Sequence, residues 1–245
     1  MFTKNVNDEP VSTRRRRGPG RPRGRTPQGT ARRRRLYEIA IRGIAERGYE
    51  GMTLRDIARA ARVSPALLYR YFPSKRSIVL ALYDELSAAY ADRATDMPRG
   101  RWRDRYLFAL KASLAVLSPH RGTLSALVAV LVGDREEGLF APGTAFSRRR
   151  VEAVFREAVA GAEDRPARDV VEPLGRVLYL VHLAVLLWWL LDKSPHQRAT
   201  AGLVALIARA LPLVPLALRV GAVRRMVRDG DALFRDALYD DVAAG

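Results

Sequence analysis

Few side chains in this 245-residue chain have the chemistry of a catalytic or metal-binding site. The chain has no cysteine, which excludes thiolate ligands, cysteine nucleophiles and disulfide bonds and is typical of a reducing compartment. Its three histidines, His120, His182 and His196, lack the i, i+4 spacing that places two imidazoles on one helix face. No glycine-rich phosphate loop or nucleophile elbow occurs. We therefore expect no enzymatic activity, no metal site and no cofactor.

The strongest chemical signal is positive charge at one end of the chain. The formal net charge is +17, and residues 1–76, with 20 Lys/Arg against 6 Asp/Glu, carry +14 of it. This asymmetry predicts that the N-terminal third binds a polyanion, either nucleic acid or an anionic membrane surface. The first ten residues are polar, and the longest apolar run, 177–191, has about 15 residues where a bilayer span needs about 20. We therefore expect a cytoplasmic protein with neither a secretory signal nor a transmembrane helix.

Two short helices with strong N-terminal caps are predicted between residues 53 and 71. Thr53 is followed by Asp56 at the spacing of a capping box, and Ser64 is followed by proline at the first helical position. Helices from about 54 to 60 and from about 65 to 71, joined by a tight connection, form a helix-turn-helix. In that motif the second helix enters the major groove of DNA, with its N-terminal residues facing the base edges.

The rest of the chain has helical periodicity and lacks the alternation typical of strands. Helices are predicted at about 31–48, 73–91, 101–117, 121–132, 145–161, 167–191, 195–211 and 222–239. Ser194 and Gln197 have the spacing of a capping box, which sets the predicted start at 195. We expect an all-α fold of four parts: a disordered basic arm at 1–30, a three-helix DNA-binding domain at 31–76, a linking helix at 77–91 and a larger helical domain at 92–245.

The sequence from Thr53 to Lys75, in particular TLRDIA and VSPALLYRYFPSK, closely resembles the TetR family of transcriptional repressors. The resemblance extends over about residues 31–90. It implies phosphate contacts on double-stranded operator DNA, made by Thr53, Tyr69, Tyr71 and Lys75, and positions next to the bases for Ser64, Pro65 and Ala66. The alternative for the tyrosines is simple packing, with their hydroxyls in solvent. The family usually has glycine where this chain has Arg62, so we expect either a slightly reshaped turn or an added contact from Arg62 to the DNA backbone.

The basic arm carries a second resemblance. Its GRPRGR sequence, Gly20 to Arg25, is similar to an AT-hook, which lies extended in the narrow minor groove of A·T-rich DNA. In this interpretation Arg21, Arg23 and Arg25 contact DNA. The alternative is a basic tail that binds phosphates without sequence preference.

The C-terminal two thirds contain the most apolar segments. The run 177–191 is apolar on all sides, which indicates burial of more than one face. The resemblance implies a homodimer, formed through the helices at about 167–191 and 195–211. It also implies that the preceding helices enclose a hydrophobic small-molecule effector, which releases the repressor from its operator.

Candidate effector contacts in this domain are large apolar side chains, some with a polar tip. They are Tyr179, His182, Trp102, Phe146 and Trp189. The alternative for each is an ordinary core side chain, and the alternative to the dimer is a monomer with a well-packed helical hairpin. A membrane-surface adaptor, with the arginine arm on anionic lipid, is the alternative function.

Overall fold

The computed structural model describes residues 26–239, and this part of the chain is helical with no β-strand. Its α-helices are α1 (Pro27–Arg47), α2 (Leu54–Ala61), α3 (Pro65–Tyr71), α4 (Lys75–Ala94), α5 (Trp102–Leu117), α6 (Arg121–Ala126), α7 (Val128–Gly133), α8 (Ala145–Ala160), α9 (Arg168–Leu191), α10 (Arg198–Ala210), α11 (Val214–Ala217) and α12 (Gly221–Leu238). The predicted all-α fold is therefore confirmed.

The first three helices form a small domain around one apolar core. Ala40 and Ile44 of α1, Ile57 of α2 and Leu68 of α3 are completely buried in it. These residues recur at helical spacing, so each helix turns one apolar face to the others and its charged face to solvent.

The helix α1 begins about one turn earlier than the sequence pattern predicts. The Thr26 hydroxyl oxygen accepts a hydrogen bond from the Gly29 N–H (3.1 Å), and Pro27 stands at the first position, where its missing N–H has no cost. Residues 27–30 are therefore helical, and the predicted boundary of a disordered arm at residue 30 is wrong. The AT-hook-like segment, with Arg21, Arg23 and Arg25, lies outside the described residues.

The helix α4 joins the two domains. Ser74 caps its N-terminus, and its first turns pack Ile78 and Leu82 into the core of the first domain. Further along, Tyr90 belongs to the core of the second domain. Because α4 contributes side chains to both cores, a displacement of this helix in one domain also moves side chains that are packed in the other.

The second domain is organised by contacts of α8 and α9. The helix α8 packs against α9, α4 and α5, while α12 covers a further face of α9. Two ion pairs fix α12 there, from Arg176 to Asp231 and from Arg228 to Asp169 (2.8 Å). The predicted single helix at 121–132 is divided into α6 and α7 at Leu127, whose φ of −100° and ψ of 0° leave helical geometry.

The start of α10 differs from the prediction. Residues Pro195–Gln197 form a 3-10 turn in which His196 and Gln197 have positive φ, so the α-helix begins only at Arg198. The carboxylate of Asp192 serves as the cap, accepting hydrogen bonds from the Thr200 N–H (2.9 Å) and hydroxyl (2.6 Å). Hydrogen bonds from Thr200 and Ser194 hold the pKa of Asp192 well below its usual range. The capping box predicted at Ser194 and Gln197 is therefore wrong.

Candidate DNA-binding surface and effector cavity

The helix-turn-helix is fixed by side-chain caps at both helix starts. Thr53 and Asp56 form a capping box, in which each side chain accepts a hydrogen bond from the other's backbone N–H at 3.2 Å. Hydrogen bonds from Thr53 also lower the pKa of Asp56, so its carboxylate stays charged. The Ser64 hydroxyl oxygen accepts from the Leu67 N–H (3.2 Å). These caps set the position of α3 relative to α2.

The turn between α2 and α3 passes through Arg62 in the left-handed conformation, with φ of 55° and ψ of 47°. Its backbone N–H bonds to the carbonyl oxygen of Arg59 (3.1 Å), which ends α2. Glycine adopts this conformation without a Cβ clash, whereas for other residues it costs about 1–2 kcal/mol. The side chain of Arg62 is exposed. The arginine thus costs stability and places a cation at the surface next to the start of α3.

The helix α3 turns its polar residues outward. Leu68 is buried in the core, while Ser64, Pro65 and Ala66 are exposed, and Tyr69 is 46% exposed. The three residues predicted to face the bases therefore lie together at the exposed N-terminal end of a short helix, the end that a helix-turn-helix presents to the major groove.

Three of the predicted phosphate contacts lie around one surface depression. Thr53, Tyr69 and Lys75 line it together with Leu54 and Arg55. The depression therefore combines two cationic side chains, a hydroxyl at a helix N-terminus and a phenol. All of these groups can donate hydrogen bonds to a phosphate oxygen.

Lys75 is held in place within this depression. Its ammonium donates a hydrogen bond to the carbonyl oxygen of Tyr49 (2.8 Å) and lies 4.1 Å from the centre of the Tyr49 ring. Because a lysine ammonium has three N–H donors, this bond leaves others for a phosphate. The hydrogen bond also ties the start of α4 to the loop after α1.

Tyr71 lies apart from that depression. It lines a polar groove between the start of α1, α3 and α4, which Arg33, Arg34 and Arg70 share. Arg34 is paired there with Glu85 (2.9 Å). Arg33 and Arg34, in the second turn of α1, therefore lie on the same groove as Tyr71. The sequence marks these arginines only as part of the basic N-terminal third, because nothing in it shows that they lie beside Tyr71.

A cavity of about 150 Å³ lies in the second domain, between α4, α5, α6, α7, α8 and α9. Three of the residues predicted to contact an effector, Tyr179, His182 and Trp189, line it. Trp102 and Phe146 do not line it. Trp102 is buried at the start of α5, where its backbone N–H donates to Asp164 (2.7 Å), and Phe146 is 40% exposed at the start of α8.

His182 is the polar centre of the cavity wall. It is 2% exposed, its Nε2 lies 2.8 Å from the Ser113 hydroxyl oxygen, and its ring centre lies 4.7 Å from that of Phe155. Burial lowers the pKa of His182 to about 3, so the imidazole is neutral at physiological pH. Burial also raises the pKa of Tyr90 and Tyr179, so both phenols keep their protons.

The cavity has further polar lining residues that sequence reasoning missed. Tyr83 and Tyr90 of α4 line it, as do Ser113 of α5 and Arg148 of α8. The two tyrosines are seven residues apart, so they share one face of α4. That spacing was visible in the sequence, but nothing in the sequence showed which buried face of α4 borders empty space.

An all-helical chain with an exposed, capped helix-turn-helix and a separate larger helical domain is a DNA-binding transcription regulator. The model of the bacterial regulatory proteins of the tetR family matches residues 36–82, which contain α2, α3 and most of α1. The DNA-binding part of this chain is therefore that of a TetR-family transcriptional regulator.

Curated relatives agree with this assignment. The chain is 28% identical to the transcriptional repressor NemR of Escherichia coli K12, over 66% of this chain and 87% of NemR. It is 34% identical to the transcriptional regulator BetI of Rhizobium meliloti, over 40% of this chain and 41% of BetI. These relatives are named as transcriptional regulators and not as enzymes.

Solved structures share the fold. A TetR-family regulator from Streptomyces coelicolor matches with a TM-score of 0.55 at 23% identity, over 81% of this chain and 88% of that one. The regulator PfmR from Thermus thermophilus matches with a TM-score of 0.53 at 21% identity, over 71% of this chain and 94% of PfmR. At these identities the likeness concerns the fold alone.

Proposed function

We propose that this regulator represses transcription as a homodimer and leaves its operator when a small, mostly apolar effector occupies the cavity of the second domain. The observation that carries the proposal is the position of the cavity on α4. Tyr83, Leu86 and Tyr90 of this helix line the cavity, while Ile78 and Leu82 of the same helix pack in the apolar cluster that holds the buried residues of α1, α2 and α3. A ligand that displaces α4 changes the spacing of the two recognition helices in a dimer.

A second connection runs through α6. Arg121 at its start donates hydrogen bonds to the carbonyl oxygens of Trp189 (3.0 Å) and Asp192 (2.7 Å), at the end of α9. The helix α6 packs against α1, and the Thr123 hydroxyl bonds to the Ile41 carbonyl oxygen (3.5 Å). Leu124 of α6 lines the cavity, so an occupant also bears on the helix that contacts the DNA-binding domain.

The dimer is supported by exposed apolar side chains on the last long helices. Leu187, Trp188 and Leu191 of α9 are 38–59% exposed, and Leu206 of α10 is 55% exposed. Arg168–Leu191 and Pro195–Ala217 are also long and apolar enough to cross a membrane. However, α9 contributes Leu174, Leu178 and Val185 to the core, which insertion into a bilayer would dismantle. A second copy of the chain covers the exposed face without this cost.

For the DNA contacts, we infer that Ser64, Pro65 and Ala66 face the bases of the major groove. The flanking phosphates are then bound by Thr53, Arg62, Tyr69, Tyr71 and Lys75. The AT-hook-like segment of the arm, with Arg21, Arg23 and Arg25, then follows the adjacent minor groove. The arm lies outside the described residues, so its part in the proposal rests on sequence. The proposed function involves no enzymatic step. A repressor that binds operator DNA acts in the cytoplasm.

The test of the proposal is release from DNA. Duplexes that bind the protein are selected from a random pool, and compounds that raise its melting temperature are then titrated against the complex, with binding followed by fluorescence anisotropy. An effector that couples through α4 should weaken binding by roughly 5- to 150-fold. Compounds that stabilise the protein but leave duplex affinity unchanged contradict the release.

The membrane-surface alternative has its own outcome in the same assay. Vesicles with anionic lipid are added to the protein–duplex complex and, in reverse, duplex is added to protein bound on vesicles. A DNA regulator leaves the vesicles for the duplex at equal phosphate concentration. Retention on the vesicles contradicts the DNA function.

A further inference from the structure

The cavity wall combines a carbon surface with buried polar atoms that lack partners. Among the described residues, the Tyr83 hydroxyl, the Tyr90 hydroxyl and Nδ1 of His182 are buried without a hydrogen bond. All three residues line the cavity. An unsatisfied buried polar group costs about 1–3 kcal/mol, and such groups in a native structure call for an explanation. A ligand that accepts hydrogen bonds here removes that cost.

The charges around the cavity restrict the ligand further. The described lining residues include no Asp or Glu, so nothing there compensates a cationic ligand. Arg148 is the one cation among them, and its Nε lies 3.7 Å from the Glu152 carboxylate while its guanidinium lies 4.6 Å from the centre of the Tyr239 ring. Its charge is thus already balanced within the protein. Burial of an ionised ligand against a carbon wall without a free counter-charge is strongly unfavourable.

The polar groups of the cavity wall are hydrogen-bond donors, so the ligand that fits them is a hydrogen-bond acceptor. A protonated phenol donates one hydrogen bond, and burial raises the pKa of both Tyr83 and Tyr90, so both remain donors. His182 is neutral, and when Ser113 donates to Nε2 its Nδ1 carries the proton and is a donor as well. A ligand oxygen with two lone pairs and no proton, as in a carbonyl, matches this set.

Size and shape complete the description. A cavity of about 150 Å³ lined by apolar side chains is comparable to one that holds a benzene molecule. Aromatic rings border it, with Tyr90 and His182 nearly parallel at an interplanar angle of 7°.

We propose that the effector is an uncharged, ring-sized apolar molecule with one carbonyl-type oxygen, which accepts a hydrogen bond from Tyr90 beside the Ser113–His182 pair. The proposal rests on the effector-release function above. It adds the chemical class of the ligand. Because the chain has no cysteine, recognition does not involve reaction with a thiol.

The experiment compares three probes of nearly equal shape by calorimetric titration of the full chain without DNA. They are acetophenone, its hydrocarbon counterpart α-methylstyrene, and benzoate. The unmodified protein should bind acetophenone about 3- to 10-fold more tightly than α-methylstyrene, the gain from one neutral hydrogen bond. Benzoate should bind at least about tenfold more weakly than acetophenone, because its charge loses solvation.

Tyr90→Phe removes only the donor. It should lower acetophenone affinity to that of α-methylstyrene and leave α-methylstyrene affinity unchanged. Tyr106→Phe is the matched control, because the Tyr106 hydroxyl is also buried without a partner among the described residues, yet Tyr106 does not line the cavity. Equal affinity for ketone and hydrocarbon, preference for benzoate, equal effects of the two variants, or no binding of any probe overturns the proposal.

These outcomes are separable from those of the proposed function. Binding of the selected duplex is measured without any probe, so failure of the ligand class leaves DNA recognition standing. Tight, Tyr90-dependent ketone binding that leaves duplex affinity unchanged supports the ligand class and contradicts the release.

Discussion

At His182 the packing of the core conflicts with the proposed recognition of a ligand. The helix α9 needs an apolar face at this point, and an imidazole with one nitrogen on Ser113 meets that need only while it is neutral. The lowered pKa, about 3, expresses this cost. A leucine at this position would pack without the cost of burying a titratable group. We propose that contact with the effector is the reason for a histidine at this position in the cavity wall.

This cost predicts a pH dependence of stability. Between pH 6.5, the usual pKa of a histidine in an unfolded chain, and about 3 the unfolded state binds a proton that the folded state does not, so stability falls as the pH falls. His182 should contribute a slope of about 1.4 kcal/mol per pH unit. Urea unfolding between pH 4.5 and 6.5 should show this loss in the unmodified protein and a shallower one in His182→Gln. His196→Gln, on an exposed turn, should follow the unmodified protein. Parallel curves for all three proteins would refute the assignment.

At the scale of elements, caps and apolar stripes made the helix-turn-helix predictable. Thr53, Asp56 and Ser64 act locally, within one turn of the chain, so the sequence contains all the information about their bonds. The start of α10 was not predictable in this way, because Asp192 reaches eight positions ahead to Thr200 around a turn with two left-handed residues. The cavity was harder still, because empty space between six helices depends on how all of them pack. Tyr179 and His182 were identified on one helix face, but Tyr83, Tyr90 and Ser113 come from other elements.

The connection between α2 and α3 yields a prediction at Arg62. Arg62→Gly relieves the left-handed conformation and should raise the free energy of unfolding by about 0.5–1 kcal/mol. If the exposed guanidinium also contacts a phosphate, as we propose, the same variant should bind DNA more weakly. The slope of log K against log salt should then fall in magnitude by about 0.9. Arg62→Lys keeps the charge and is the control, with a nearly unchanged slope. An unchanged slope in Arg62→Gly would show that the arginine shapes the turn without touching DNA.

At the scale of the whole molecule, charge and apolar surface lie at opposite ends of the sequence. Residues 1–76 carry a net charge of +14, and the large exposed apolar side chains of α9 and α10 lie beyond residue 186. A single α3 reads too few base pairs for useful specificity, so the basic end gains from being duplicated. The proposed two-fold interface at the other end would duplicate it without occupying the DNA-binding surface. The proposed effector cavity lies between these two regions, in contact with α4 on one side and α9 on the other.

The proposed dimer predicts that one charge on α9 separates the copies. Trp188 is 50% exposed, and in a two-fold interface each substitution occurs twice, so Trp188→Glu buries two carboxylates. A central aromatic contributes about 2 kcal/mol or more to an interface, so dimerisation should weaken by at least about 30-fold. Light scattering after size exclusion should show a monomer, circular dichroism should show unchanged helix content, and affinity for the selected duplex should fall. Leu233 of α12 is 70% exposed, so Leu233→Glu is the matched control and should remain dimeric. A monomer produced by Leu233→Glu instead of Trp188→Glu would move the interface to α12.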